Sequence, residues 1–151
     1  MLRDVLNLAM RNTDNHARNT AVQRLPGGTV QLAPLFDFAP MFLDPEIIPR
    51  SCHWQASGGK VQRAWTEIVE GLEVDDSERS AIAEALHRFA PRVAALPEIA
   101  KDCGVEARVI DACRMTIDAQ AQQLESATGT SDFNHMPTTR SCPPCPARKL
   151  Q

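Results

Sequence analysis

Apolar residues recur at Leu2, Val5, Leu6, Ala9 and Met10, which predicts an amphipathic helix over residues 2–11 with one face aimed at a core. A helix this short is marginal alone, so it needs packing partners. The periodicity then stops. Residues 12–19 are polar, with no long apolar side chain except within Arg18, and are expected to lie open as a loop. Two short apolar/polar alternations, Thr20–Leu25 and Thr29–Leu32, flank Pro26-Gly27-Gly28 and predict a β-hairpin. Pro34 and Pro40 bracket Leu35-Phe36-Asp37-Phe38-Ala39 and stiffen that loop. Phe36 and Phe38 alternate around Asp37, so the two rings are expected to anchor in apolar surface while the carboxylate points away.

Residues 41–60 carry Pro45, Pro49 and Ser57-Gly58-Gly59 and read as irregular. Helical spacing returns at Trp65–Leu72. A longer helix follows, capped by Asp76 or Ser77, with Ile82, Ala85, Leu86, Phe89 and Val93 as its stripe. Pro91 is expected to kink it or to begin a new helix. Pro97 opens a short helix to about Cys103, which Gly104 stops. Val105, Val109, Cys113, Ile117 and Leu124 mark a last amphipathic helix. From Ser126 the apolar spacing vanishes into Thr, Ser, Pro and Gly, so 126–151 is expected to be a disordered tail. The predicted class is mainly α (α+β), with one small hairpin and a single folded unit over 1–125.

Composition narrows the partners. At 43% hydrophobic and 23% charged, the chain has the make-up of an ordinary water-facing domain. A net charge of −3 presents no basic field for nucleic acid or an anionic membrane. No apolar run approaches a membrane span, and Met1-Leu2-Arg3-Asp4 carries no signal-peptide pattern. Five scattered cysteines suit a reducing compartment, so a cytoplasmic location is expected. Ser57-Gly58-Gly59-Lys60 lacks the first glycine and spacing of a P-loop and reads as a turn. Cys142 and Cys145 have metal-ligand spacing but no second pair at zinc-site distance. His53, His87 and His135 stand isolated, without ligand spacing.

Candidate chemistry concentrates in Arg11-Asn12-Thr13-Asp14-Asn15-His16-Ala17-Arg18-Asn19 and in Leu32-Ala33-Pro34-Leu35-Phe36-Asp37 beyond the hairpin. An acid five residues before an amide, followed by a second acid past a strand pair, is what phosphoryl transfer requires. One carboxylate orients and deprotonates the attacking hydroxyl; the amide and second carboxylate hold the hard Mg²⁺ on nucleotide phosphates. The same residues also fit a polar turn capped by Asx hydrogen bonds.

The two segments together resemble the catalytic-loop and metal-loop pair of the HipA family, the serine/threonine kinase toxins of bacterial type II toxin–antitoxin systems. The Asp-x-His-x-x-Asn core is also similar to that of phosphoinositide lipid kinases, which keeps a lipid or small-molecule kinase as a rival. The resemblance covers about residues 1–125 and implies a protein-kinase-like C-lobe. It makes Asp14 the catalytic base and Asn19 and Asp37 the metal ligands, with ATP as co-substrate and a protein as acceptor. His16 is expected to bridge to the metal-loop carboxylate or the phosphate, or else only to brace the loop. Arg18 either neutralises phosphate charge or pairs with a surface acid. Ala39 stands where protein kinases carry the glycine of D-F-G. The resemblance implies a HipB-like, DNA-binding antitoxin as partner. No segment resembles the phosphate-covering loop or strand lysine of a nucleotide lobe. The chain alone is therefore expected to be weak or inactive, either half of a split kinase or a non-catalytic interaction module.

Overall fold

The computed structural model describes residues 1–46 and 48–127. Cys142, Cys145 and His135, and the expected tail from 128 on, lie outside the described residues. Among the described residues there are five α-helices: α1 (Leu2–Ala9), α2 (Trp65–Glu70), α3 (Asp76–Ala94), α4 (Leu96–Asp102) and α5 (Ala107–Glu125). One antiparallel hairpin joins β1 (Val22–Arg24) to β2 (Val30–Leu32), with Gln23 opposite Gln31. Among the described residues the fold is thus mainly helical with a single two-stranded sheet.

α5 is the central element. Val109, Ile110, Cys113, Ile117, Ala121 and Leu124 face inward along it, the spacing of one helical face. Against it pack Leu86, Ala90 and Val93 of α3 and Val5 and Ala9 of α1. Each large side chain buried this way stabilises the fold by about 1.5–3 kcal/mol. Ala127 is also buried in this core, two residues beyond the expected end of the folded unit. Val105 precedes α5 and stays partly exposed, so it lies outside the stripe that it was expected to begin.

Trp65 is fully buried at the start of α2, and its indole N–H donates to Gln120 Oε1 at 2.9 Å. The indole donor thereby keeps a partner inside the core. Trp54 meets Trp65 edge-on, with ring centroids 6.5 Å apart.

The start of α3 and the role of Pro91 can be compared with expectation. Asp75, rather than Asp76 or Ser77, caps α3: its carboxylate accepts from the Glu78 N–H at 2.8 Å. Pro91 does not start a new helix; α3 runs through it to Ala94. Pro91 and His87 are both exposed, so the carbonyl that proline leaves without a helical donor is on the solvent side. The loop 12–19 is also less open than expected. Asn12 is buried, and residues 13–16 are half-buried.

Burial pushes the Cys113 thiol above its ordinary pKa, whereas Cys52 and Cys103 are exposed. Thiolate-selective alkylation of the folded protein is expected to label the last two and spare Cys113; mass spectrometry that finds Cys113 modified at a comparable rate would contradict this packing. Gln120→Leu strands the Trp65 N–H and is expected to cost about 1–3 kcal/mol. Urea denaturation reads it as a lower midpoint.

Candidate functional site

The site begins where α1 ends. Arg11 adopts φ 55°, in the left-handed region. Its N–H bonds the Leu8 carbonyl at 3.3 Å, and the Asn12 N–H reaches back to the Asn7 carbonyl at 2.8 Å. This pair of bonds is a Schellman ending, with arginine where glycine is usual. The strain is offset by contacts the side chain makes: Arg11 Nη1 donates to the Ala112 carbonyl at 3.2 Å, and the guanidinium lies 4.1 Å over the Phe42 ring.

The turn delivers Asn12 into the interior, where it is 4% exposed. Its Nδ2 donates to Asn7 Oδ1 at 3.1 Å, and its Oδ1 accepts the Asp14 N–H at 3.2 Å. An Asx turn therefore orients the backbone at Asp14. The Asp14 carboxylate stands 3.3 Å from His16 Nε2, the two side chains being 22% and 33% exposed. Asn19 closes the loop, its Nδ2 donating to the Asp14 carbonyl at 2.9 Å. A carbonyl only accepts, so this bond fixes which end of the amide is nitrogen. Asn19 Oδ1 remains as an oxygen donor.

Across the hairpin, Arg3 donates to the Ala33 carbonyl and ties α1 to the segment that leads to Asp37. Asp37 has φ 52° and is exposed. Aspartate is among the few residues that tolerate this conformation. Phe36 is 42% exposed and Phe38 half-buried, so the two rings do not anchor the loop equally, contrary to expectation.

Asp14, His16, Asn19 and Asp37 all line one cleft of about 30 Å³. That is room for a water or a bare ion, not for a nucleotide. Arg18 lines neither this cleft nor the larger cavity described below; it is exposed on the short 3₁₀ turn Ala17–Asn19 and has no ion pair among the described residues. Among the described residues no three His, Cys, Asp or Glu side chains converge as a metal site. The donor chemistry nonetheless fits Mg²⁺, which takes oxygen ligands, keeps several waters and is held by one or two carboxylates plus substrate phosphates. Asp14, Asn19 and Asp37 offer two carboxylates and an amide oxygen.

Sequence reasoning missed four residues around this cleft. Arg3 and Asn7 lie on it at i, i+4 spacing, a polar pair beside the apolar stripe. Asn12 orients Asp14. Asn15 clamps the next segment: Nδ2 donates to the Cys52 carbonyl at 3.0 Å, while Oδ1 accepts the Ser51 and Cys52 N–H groups at 3.2 Å each. Asp4 helps, holding Arg50 at 2.6–2.7 Å and the Trp54 indole N–H at 2.8 Å. Segment 50–54 is thus fastened to both α1 and the loop. Ser57–Lys60 forms the expected turn, with the Gly59 N–H on the Ala56 carbonyl at 2.8 Å.

A mostly apolar cavity of about 900 Å³ adjoins the cleft, walled by Leu2, Trp54, Leu72, Val74, Ile82 and Leu86. Arg3, Asn7, Asn15, His16 and Thr20 border both spaces.

Asn15→Ala is expected to free segment 50–54 without unfolding the helical core. Hydrogen exchange at the Ser51 and Cys52 amides should then accelerate severalfold while the melting temperature changes little; unchanged protection would show that the clamp lies elsewhere.

Residues 1–123 match the family model described as HipA-like C-terminal domain. No curated protein matches the chain, and no solved structure does.

Proposed function

Since the chain belongs to the HipA-like C-terminal domain family, we propose that it is the C-lobe of a serine/threonine protein kinase of the toxin–antitoxin type. The observation that carries this reading is the shared cleft of Asp14, Asn19 and Asp37. The reaction joins a protein hydroxyl oxygen to the γ-phosphorus of ATP and releases ADP. Asp14 orients that hydroxyl and accepts its proton. His16, 3.3 Å away, fixes the carboxylate's direction. Asn19 and Asp37 would hold Mg²⁺, which would supply charge neutralisation on the phosphates. Segment 50–54, pinned beside the loop by Asn15 and Asp4, supplies the surface nearest the acceptor.

No segment of residues 1–151 resembles the nucleotide-covering groups that position ATP, and positioning accounts for much of the rate in phosphoryl transfer. The chain alone is therefore weak or inactive, and a nucleotide lobe restores transfer. A HipB-like antitoxin is the regulatory partner of this reading. A second reading, a non-catalytic interaction module, draws on the large apolar cavity beside the loop, a shape suited to a partner's apolar side chains.

Calorimetry with Mg·ATP, with and without a separately supplied nucleotide lobe, separates the two. In the reconstituted pair, Asp14→Ala or Asp37→Ala should cut phosphoryl transfer by roughly 10²–10⁴-fold and leave the melting temperature near that of the parent. Full activity in either variant would overturn these roles.

A further inference from the structure

Of the residues assigned to phosphoryl transfer, Asp14, Asn19 and Asp37 do not reach the large cavity. At about 900 Å³ it stands near the top of the range of ligand pockets. Its walls come from α1, α3, the α2–α3 turn and segment 52–54. The apolar side chains there are not closed off from solvent: Trp54, Leu72, Val74 and Ile82 are half-buried, and Leu2 is 40% exposed. The polar groups around the space are mostly spent. Asp4 holds Arg50 and Trp54, and Asn15 holds segment 51–52. Two buried nitrogens lack partners, Arg3 Nη1 and His16 Nδ1, and both residues are shared with the small cleft. The cavity therefore has no convergent set of free polar groups of its own to orient a small ligand. What it offers is apolar surface between two helices, a shape that receives a third helix by its apolar face.

The rim of this space is charged on one side. Leu72 and Val74 line it from the α2–α3 turn, and along that stretch Glu70, Glu73, Asp75, Asp76 and Glu78 follow one another with no Lys or Arg between them. All five are exposed. Asp75 is occupied in capping α3, and Asp76 stands 4.0 Å from Arg79. Glu70, Glu73 and Glu78 make no ion pair among the described residues. Arg79 mainly shapes the turn: its guanidinium donates to the Val69, Glu70 and Val74 carbonyls at 2.7–3.0 Å. The turn is thus held in place before any partner arrives, which lowers the ordering cost of binding.

We propose that this groove docks a basic amphipathic helix of another protein. Apolar side chains at i, i+3, i+4 and i+7 of that helix fill the space between α1 and α3, and Lys or Arg beside them face Glu70, Glu73 and Glu78. The acidic turn and the net charge of −3 disfavour an anionic lipid surface or a second copy of the chain as the occupant. The inference supplies the partner's chemistry for the interaction-module reading and rests on that reading alone; neither metal nor phosphoryl transfer enters it.

The probe is a synthetic peptide of about 18 residues, long enough to hold a helix, with Leu at the apolar positions and Lys and Ala elsewhere. Titrated into the full chain, it should saturate and should shift the indole ¹H–¹⁵N resonance of Trp54 more than that of the fully buried Trp65. The same composition in scrambled order, and a peptide with Glu in place of Lys, should each bind about tenfold or more weakly. Salt at about 1 M should weaken the Lys peptide severalfold. Glu73→Gln combined with Glu78→Gln should do the same at low salt, with the melting temperature near that of the parent. Ala85→Phe, which fills the groove, should abolish binding. An absence of saturation, an unmoved Trp54 resonance, equal binding of the scrambled or Glu peptide, or full affinity in a folded Ala85→Phe variant would overturn the proposal. So would naphthalene binding more tightly than the peptide, which gives the cavity to a small apolar ligand. A dimer in sedimentation equilibrium that Ala85→Phe dissociates gives it to a second copy and overturns the proposal equally. The resonance shifts are read on the unaltered chain, so a variant that fails to fold does not shelter the proposal. Peptide docking without transfer in the reconstituted pair would sink the kinase reading and leave the groove standing. Transfer with no peptide response would do the reverse.

Discussion

The left-handed turn at Arg11 is the constraint on which the site depends. α1 is packed by Val5 and Ala9 against α5, so its direction is set by the core. At Arg11 the chain reverses and buries Asn12 three residues beyond the helix end. Asn12 then fixes the Asp14 amide, and Asn19 returns to the Asp14 carbonyl. The backbone at Asp14 is therefore referred, through short bonds, to a helix that cannot shift without disturbing the core. Non-glycine residues in this conformation are costly, and Arg11 holds it through its contacts with the Ala112 carbonyl and the Phe42 ring.

The remainder of the site region is held in a different way. Among the described residues no hydrophobic side chain between Ala9 and Trp65 is fully buried. Phe42 and Trp54 are only partly buried against the core. What fastens this half of the chain is a small set of long-range polar bonds: Arg3 to Ala33, Asp4 to Arg50 and Trp54, and Asn15 to segment 51–52. Hydrogen bonds depend on direction, whereas apolar burial does not. A surface attached mainly by directional bonds keeps its polar atoms in register, yet opens at lower cost than the helical core. Such a layer suits a place where ligands enter and leave.

This division explains what was legible in the sequence. The helices were readable because each contributes a periodic stripe; the inward faces of α3 and α5 match the positions expected from spacing at Leu86, Val93, Val109, Cys113, Ile117 and Leu124. The hairpin was readable from Pro26-Gly27-Gly28. The cap of α3 was misplaced by at least one residue, although Asp75-x-x-Glu78 carried the capping-box spacing that would have settled it. The open aspect assigned to residues 12–19 failed because polarity was taken for exposure. Asn12 is polar and buried, its amide satisfied at both ends. The clamps at Arg3, Asp4 and Asn15 were invisible for another reason. Their partners stand 30 to 50 residues away, and no periodicity announces a side chain bonding to a distant carbonyl.

The same logic ranks the residues around the cleft. Asp14 and His16 Nε2, 3.3 Å apart, partner one another, while His16 Nδ1 is buried without a partner. Asn15 and Asn19 spend donors on backbone carbonyls and have evident work in shaping the loop. Arg3 differs. One of its terminal nitrogens meets a neutral acceptor, and the other is buried against none. If Arg3 served only to tether Ala33, a neutral amide would form the same bond without burying a charge. The positive charge lies on the cleft that Asp14 and Asp37 also line, where it offsets the repulsion between the two carboxylates.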